Sequence, residues 1–310
     1  MMDKKIEIKN ISKSFKELKK FKYFSKKKEI LKDISISLSI GDVFFLLGSN
    51  GSGKTTFLKL IAGLLNPDEG EINYFGSKNI RSINLGLSDS NFRSFYWRLT
   101  VRQNLEFFAK LCNLDKHFSE KRINYLLGEL DLQDLADKPF MTLSSGQMQS
   151  ISICRALLNN PKVLLLDEPT THLDPIKSKI VVSFLKKYLI ENNLIVIWCT
   201  HNIREVDLMA TKIGYLSNGQ IYEQKKASSS NPKNYIFEIL KSKNFNEILQ
   251  NFKFEIIDET EDCFIIRFLG ELNFIELFQK FVQFKIDIKS IDIFSENNLF
   301  FNKKAGIPNE

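Results

Sequence analysis

Apolar and polar residues alternate through the opening IEIKNISKSF, Ile6 to Phe15, the pattern of a half-buried strand. A second alternation, DISISLSI, puts Ile34, Ile36, Leu38 and Ile40 on one face. After the turn Gly41-Asp42, the pattern becomes continuously apolar over Val43 to Leu47, as in a strand covered on both sides. A Gly-rich loop follows, then TTFLKLIAGLL, where Leu58, Ile61, Ala62 and Leu65 fall on one helix face. From Leu99 to Leu158 the periodicity is helical, with Thr100 placed to cap VRQNLEFFAKL and Pro139 breaking the run. Two more buried-strand runs, Val163 to Leu166 and Leu194 to Cys199, flank a further helix pattern. Strands alternating with helices predict an α/β domain over residues 1–225 with a mainly parallel sheet and a helical subdomain at about 90–158.

Past Asn218-Gly219 the texture changes. Residues 226–234 are polar and turn-rich and are expected to be a linker. Residues 235–310 predict a small α+β domain in the order βαββαβ, a ferredoxin-like sandwich. Its strands are expected at Tyr235–Leu240, Phe252–Ile257, Cys263–Phe268 and Ile286–Ile293. Its helices are expected around Phe245–Phe252 and Phe274–Phe281.

The chemistry enters at GSNGSGKTT, Gly48 to Thr56, which fits G-x-x-x-x-G-K-[ST] between a buried strand and an amphipathic helix. Backbone N–H groups of Gly48, Ser49, Asn50, Gly51, Ser52 and Gly53 can wrap phosphate oxygens, and the helix N-terminus adds partial positive charge. Lys54 can reach the β- and γ-phosphates, and the Thr55 hydroxyl can ligate Mg²⁺, with Thr56 completing the loop. A strand ending VLLLDEP, Val163 to Pro169, delivers Asp167 to the same sheet edge as a Mg²⁺ partner. Glu168, one residue on, is placed to activate a water against the γ-phosphate. A chance Gly/Ser turn, or a strand that merely ends in acids, is the bland alternative to each motif alone. Together they predict a nucleotide site for ATP and Mg²⁺.

With LSSGQ at Leu143 to Gln147, HLD at His172 to Asp174 and the pair Thr200-His201, these motifs resemble the nucleotide-binding domain of the ABC ATPases, across residues 1–225. The resemblance implies a P-loop fold, ATP hydrolysis, and a head-to-tail dimer, homo- or heteromeric, with ATP between the subunits. Ser144, Ser145, Gly146 and Gln147 would then contact the partner's ATP; Ser145 stands where the family has glycine. The plain reading of SSGQ is a polar helix cap. By resemblance His201 holds the γ-phosphate and attacking water, Asp174 is a dimer contact, and Phe15 stacks on adenine; a core Phe is the bland reading of the last. The family's metal-sensing glutamine has no counterpart in Leu85 to Thr100, where Asp89 or Asn91 can substitute. The aromatic run FYWRL, Phe95 to Leu99, is core or the lining of a groove for a membrane partner. The overall pattern resembles bacterial exporter ATPases that power a separate integral-membrane permease from its cytoplasmic face.

Composition adjusts this picture little. The chain has 310 residues, 43% hydrophobic and 26% charged, an ordinary globular mix. The N-terminus has no apolar signal region and no apolar stretch reaches membrane-spanning length, so a cytoplasmic chain is expected. Four cysteines lie far apart without CxxC spacing, so no zinc site is expected. The net charge of +7 raises the rival class of nucleic-acid ATPases. Yet Lys16 to Lys28 holds seven lysines and one glutamate, +6 of that +7, leaving +1 for the rest. A nucleic-acid partner is therefore not expected. The insert is either a solvated loop or a contact with anionic lipid heads. A third class, a regulatory ATP binder without hydrolysis, is motivated by Ser145 and the missing glutamine.

Overall fold

The computed structural model describes residues 5–16, 27–48, 51–80, 83–200, 205–206, 209–225, 235–241, 254–268 and 288–293. The chain divides into two compact units, Met1–Lys226 and Ala227–Glu310.

The first unit is built on a six-stranded sheet. Its strands are β3 (Val43–Leu47), β5 (Leu85–Ser88), β6 (Val163–Asp167), β7 (Ile195–Cys199), β8 (Lys212–Ser217) and β9 (Gln220–Lys225), in the spatial order β5-β6-β7-β3-β8-β9. All neighbours are parallel except the β8–β9 pair. Every residue of β3, β6 and β7 is buried, which is why these segments read as unbroken apolar runs. A separate antiparallel sheet holds β1 (Lys5–Lys16), β2 (Lys27–Ser39) and β4 (Glu69–Tyr74), in the order β2-β1-β4. The inward faces of β1 and β2, including Ile6, Ile8, Ile34, Ile36 and Leu38, share one core with Phe44, Leu46, Leu165 and Ile197 of the parallel sheet. Helix α1 (Lys54–Ile61) joins that core through Phe57, Leu58, Leu60 and Ile61.

Asn218-Gly219, which marks only a change of texture in the sequence, is the turn of the β8–β9 hairpin. Both residues have positive φ, 48° and 79°, as a two-residue hairpin turn needs. The expected helical run from Leu99 to Leu158 is three helices: α2 (Val101–Leu111), α3 (Lys116–Glu129) and α4 (Ser145–Leu157). The chain turns between them at Asn113 and Asp131, both left-handed with φ 54°, a conformation these side chains tolerate. Pro139 lies within the second break, between α3 and α4, and opens a short 3₁₀ turn at Phe140–Thr142. Thr100 caps α2 in a reciprocal capping box with Gln103. Asp174 caps α5 (Pro175–Asn192), with Pro175 in the first turn. No described helix is long and apolar enough to cross a membrane.

In the second unit, β10 (Tyr235–Leu240), β11 (Phe254–Glu259), β12 (Cys263–Phe268) and β13 (Ile288–Ile293) form one sheet in the order β11-β12-β10-β13, every pair antiparallel. Phe237, Ile239, Cys263 and Ile266 are buried there. The helices expected around 245–252 and 274–281 lie outside the described residues, as do the linker 226–234 and residues 17–26 of the basic insert.

Candidate nucleotide site

The carboxyl ends of β3 and β6 bring the two acidic and phosphate motifs together. An open pocket of about 310 Å³ is lined by Phe15, Ile30, Gly51, Gly53, Lys54, Thr55, Thr56, Asp167 and Glu168. Gly53 precedes α1 with φ 114°, and a Cβ there would come within 3.0 Å of Ile30. Only glycine takes that turn without strain, so the loop can end with α1 aimed at the pocket. The Ser52 hydroxyl is buried and has no hydrogen-bond partner among the described residues. A buried donor held in this way suits an incoming phosphate oxygen. Lys54 is almost fully buried; its Nζ donates to the Gly48 carbonyl at 2.8 Å and lies 3.9 Å from Glu168 Oε1.

The Thr55 Oγ1 donates to Asp167 Oδ2 at 2.6 Å across 112 positions of sequence. Burial pushes the Asp167 carboxyl above its ordinary value; the Thr55 hydrogen bond opposes that, and Glu168 and Asp89 add to it. A hydroxyl and a carboxylate side by side are hard oxygen donors of the kind that hold Mg²⁺ together with substrate phosphates. The donor set therefore fits the ion. Among the described residues no group of three or more His, Cys, Asp or Glu is clustered to hold a metal by itself.

Glu168 has a left-handed backbone, φ 49°, uncommon for a glutamate. Its N–H donates to the Cys199 carbonyl at 2.9 Å, and Thr171 Oγ1 donates to its Oε2 at 3.0 Å. These bonds pin a strained residue in place, a cost of about 1–3 kcal/mol that surrounding structure must meet.

Phe15 is 41% exposed on β1 and faces the pocket, with Lys13 Nζ 5.8 Å from its ring centroid. It is not a core residue. Ser144, Ser145, Gly146 and Gln147 do not line this pocket. They form the start of α4, where Ser144 and Gln147 make a second reciprocal capping box. A Cβ on Gly146 would stand 2.5 Å from the His172 carbonyl oxygen, so glycine lets α4 and the His172 loop approach. Asp174 likewise serves its own chain, accepting from the Ile176 and Lys177 N–H groups.

Asp89 and Asn91 separate. In the parallel register Ser88 faces Leu166, so Asp89 follows β5 level with Asp167. Its carboxylate lies 3.7 Å from Arg155. The Asn91 side chain instead accepts from Arg93 N–H and caps a 3₁₀ turn. The FYWRL run also divides. Phe95 is buried and stacked on Phe140 with centroids 4.4 Å apart, whereas Tyr96 and Trp97 are 49% and 47% exposed. Ser49, Asn50 and His201 lie outside the described residues.

Sequence reasoning missed Glu205, which is buried and hydrogen-bonded to Thr170 and Trp198. No spacing signals it, since its partners are 35 and 7 residues away. It also missed Arg155, on α4, whose guanidinium lies over Phe95 and Phe108 and donates to Ser94.

Residues 31–171 match the family described as ABC transporter. The chain is 31% identical to the ABC transporter ATP-binding protein NatA of Bacillus subtilis over 231 residues, which cover 69% of this chain and 92% of that one. It is 32% identical to the bacitracin transport ATP-binding protein BcrA of Bacillus licheniformis, covering 88% and 91%. It is also 32% identical to the spermidine/putrescine import ATP-binding protein PotA of Fusobacterium nucleatum, covering 88% of this chain but spanning only 64% of that relative. Among solved structures, a dimeric ATP-binding cassette in a post-hydrolysis state bound to ADP and Pi superposes with TM-score 0.64 at 27% identity, over 72% of this chain and all of that one. The phosphate loop, the acidic strand end and these similarities place the chain in one family: it belongs to the ATP-binding proteins of ABC transporters, ATPases that bind ATP with Mg²⁺.

Proposed function

We propose that this chain hydrolyses ATP to drive a separate membrane permease, as one half of a head-to-tail dimer on the cytoplasmic side, and that the transport is export. The observation that carries the hydrolytic reading is the convergence of Lys54, Thr55, Asp167 and Glu168 on one pocket. Lys54 and the N-terminus of α1 hold the β- and γ-phosphates, while Phe15 stacks on the adenine. Thr55 and Asp167 would hold Mg²⁺, with Asp89 at the same edge, and the bound ion would supply neutralisation of phosphate charge. Glu168 takes a proton from the water aligned for in-line attack, with His201 beside it.

Ser144 to Gln147 are absent from the chain's own pocket, which supports their acting on nucleotide held by a partner subunit. The capping box satisfies the Ser144 and Gln147 N–H groups, and the partial positive charge of the α4 N-terminus favours an anion. The half-exposed Tyr96 and Trp97 support a permease contact beside the helical subdomain. The export reading rests on the sequence pattern, RLTVRQNLEFF in the helical subdomain and a small domain at residues 235–310, which resembles that of exporter ATPases. Within the proposed assembly residues 1–225 are the motor and 235–310 an accessory domain.

The test is purification of the full chain from native membranes. A multi-span protein should copurify, and ATP turnover should follow it. A chain recovered alone, with turnover stimulated by RNA or DNA and lost steeply with salt, would replace this reading with the nucleic-acid one.

A further inference from the structure

Near the proposed hydrolytic acid lies a buried carboxyl group that none of the phosphate or metal chemistry uses. Glu205 is 2% exposed. Thr170 Oγ1 donates to its Oε1, and the Trp198 indole Nε1 donates to its Oε2 at 3.0 Å. The Thr200 side chain also hydrogen-bonds to it. Thr170, Trp198 and Thr200 are themselves buried, and the Trp198 ring stacks on Phe45 of β3 with centroids 5.1 Å apart.

These three donors come from two places that must keep register for hydrolysis. Thr170 belongs to the loop that starts at Glu168, and its neighbour Thr171 hydrogen-bonds the Glu168 carboxylate. Trp198 and Thr200 belong to β7 and its end, beside the phosphate-loop strand β3. Glu168 sits in a strained left-handed conformation, so its aim depends on what holds the following residues. Resting on the reading of Glu168 as the hydrolytic acid, we infer that Glu205 is a positioning residue. It ties the Glu168 loop to the end of β7 and so keeps the acid and strand end in one arrangement.

Glu205 touches neither phosphate nor metal in the proposed scheme, so its loss is read in turnover and not in nucleotide affinity. The full chain with its permease is measured as Glu205→Ala, Glu205→Gln, Thr170→Val and the double variant Glu205→Ala/Thr170→Val. Glu205→Ala and Thr170→Val should each lower kcat about tenfold, with the dissociation constant of a fluorescent ATP analogue unchanged within about twofold. The double variant should be no slower than the slower single one, because both remove the same tether. Glu205→Gln should recover turnover to within about threefold of the parent, since its oxygen can accept from Trp198 and its amide can donate to the Thr170 hydroxyl. If Glu205→Ala does not fold, Thr170→Val and Glu205→Gln carry the test. Unchanged kcat in Thr170→Val overturns the inference, as do additive losses or a parallel loss of nucleotide affinity. Glu168→Gln separates the two readings. Parent-level turnover in Glu168→Gln overturns the hydrolytic assignment and this inference with it. A dead Glu168→Gln beside a fully active Thr170→Val overturns this inference alone.

Discussion

Thr55→Val removes one hydroxyl and nearly conserves shape, so it isolates the 2.6 Å bond to Asp167. Asp167 is buried, and its carboxyl is raised above the ordinary value of 3.8 chiefly by that burial. The folded state thus favours the protonated acid. The stability this confers is complete below pH 3.8 and is lost as pH climbs through the raised value. The Thr55 hydroxyl limits the loss by donating to the anion. A hydrogen bond to a charged group is worth about 1.5–3 kcal/mol, and Thr55 is exposed enough for water to replace part of it, so the lower end, about 1.5 kcal/mol, applies. For a unit of this size that lowers the melting temperature by about 3–6 °C at neutral pH. The assay is thermal melting of parent and variant in EDTA, from pH 7.5 down to the acid limit of folding. The gap should be widest at neutral pH and close as the carboxyl protonates. A gap of constant size across that range would refute the argument, because the bond would then owe nothing to the charge on Asp167.

Three further outcomes follow from the same geometry. Glu168→Gln should cut ATP turnover about 10²–10⁴-fold while equilibrium nucleotide binding stays within about twofold, which a filter or fluorescence titration checks. Phe15→Ala should weaken nucleotide binding by about 0.5–1.5 kcal/mol, equally for ATP and GTP, because an exposed ring offers a face and reads no base edge. Unequal losses in competition titrations would show that the ring discriminates bases. Gly146→Ala places a methyl group 2.5 Å from the His172 carbonyl oxygen. It should cost about 1–3 kcal/mol in stability, seen as an earlier melt.

The parts of this site that follow directly from sequence are those tied to one strand end. Lys54 and Thr55 come just after β3, and Asp167 and Glu168 close β6, so two short motifs suffice to bring four side chains together. The buried runs of β3, β6 and β7 are legible for the same reason, since a strand covered on both faces has no polar positions. Long-range side-chain bonds leave no such trace. The segment around Glu205 carries no pattern that announces a carboxylate shared by Thr170 and Trp198. The hairpin at Asn218-Gly219 was legible in principle, because the pair is the strongest short turn signal and polar β9 alone obscured it. Asp89 and Asn91 show the limit most clearly. As oxygen donors two residues apart they are equivalent on paper, and only backbone register and capping separate them. Asn91 is committed to an N–H in its own turn, whereas Asp89 continues β5 beside the end of β6 and is close enough to raise the Asp167 carboxyl. On its other side, Asp89 lies 3.7 Å from Arg155 of α4. This edge thus carries an acid already paired with the helix that opens on Ser144, and any movement of that helix must move the acid's partner.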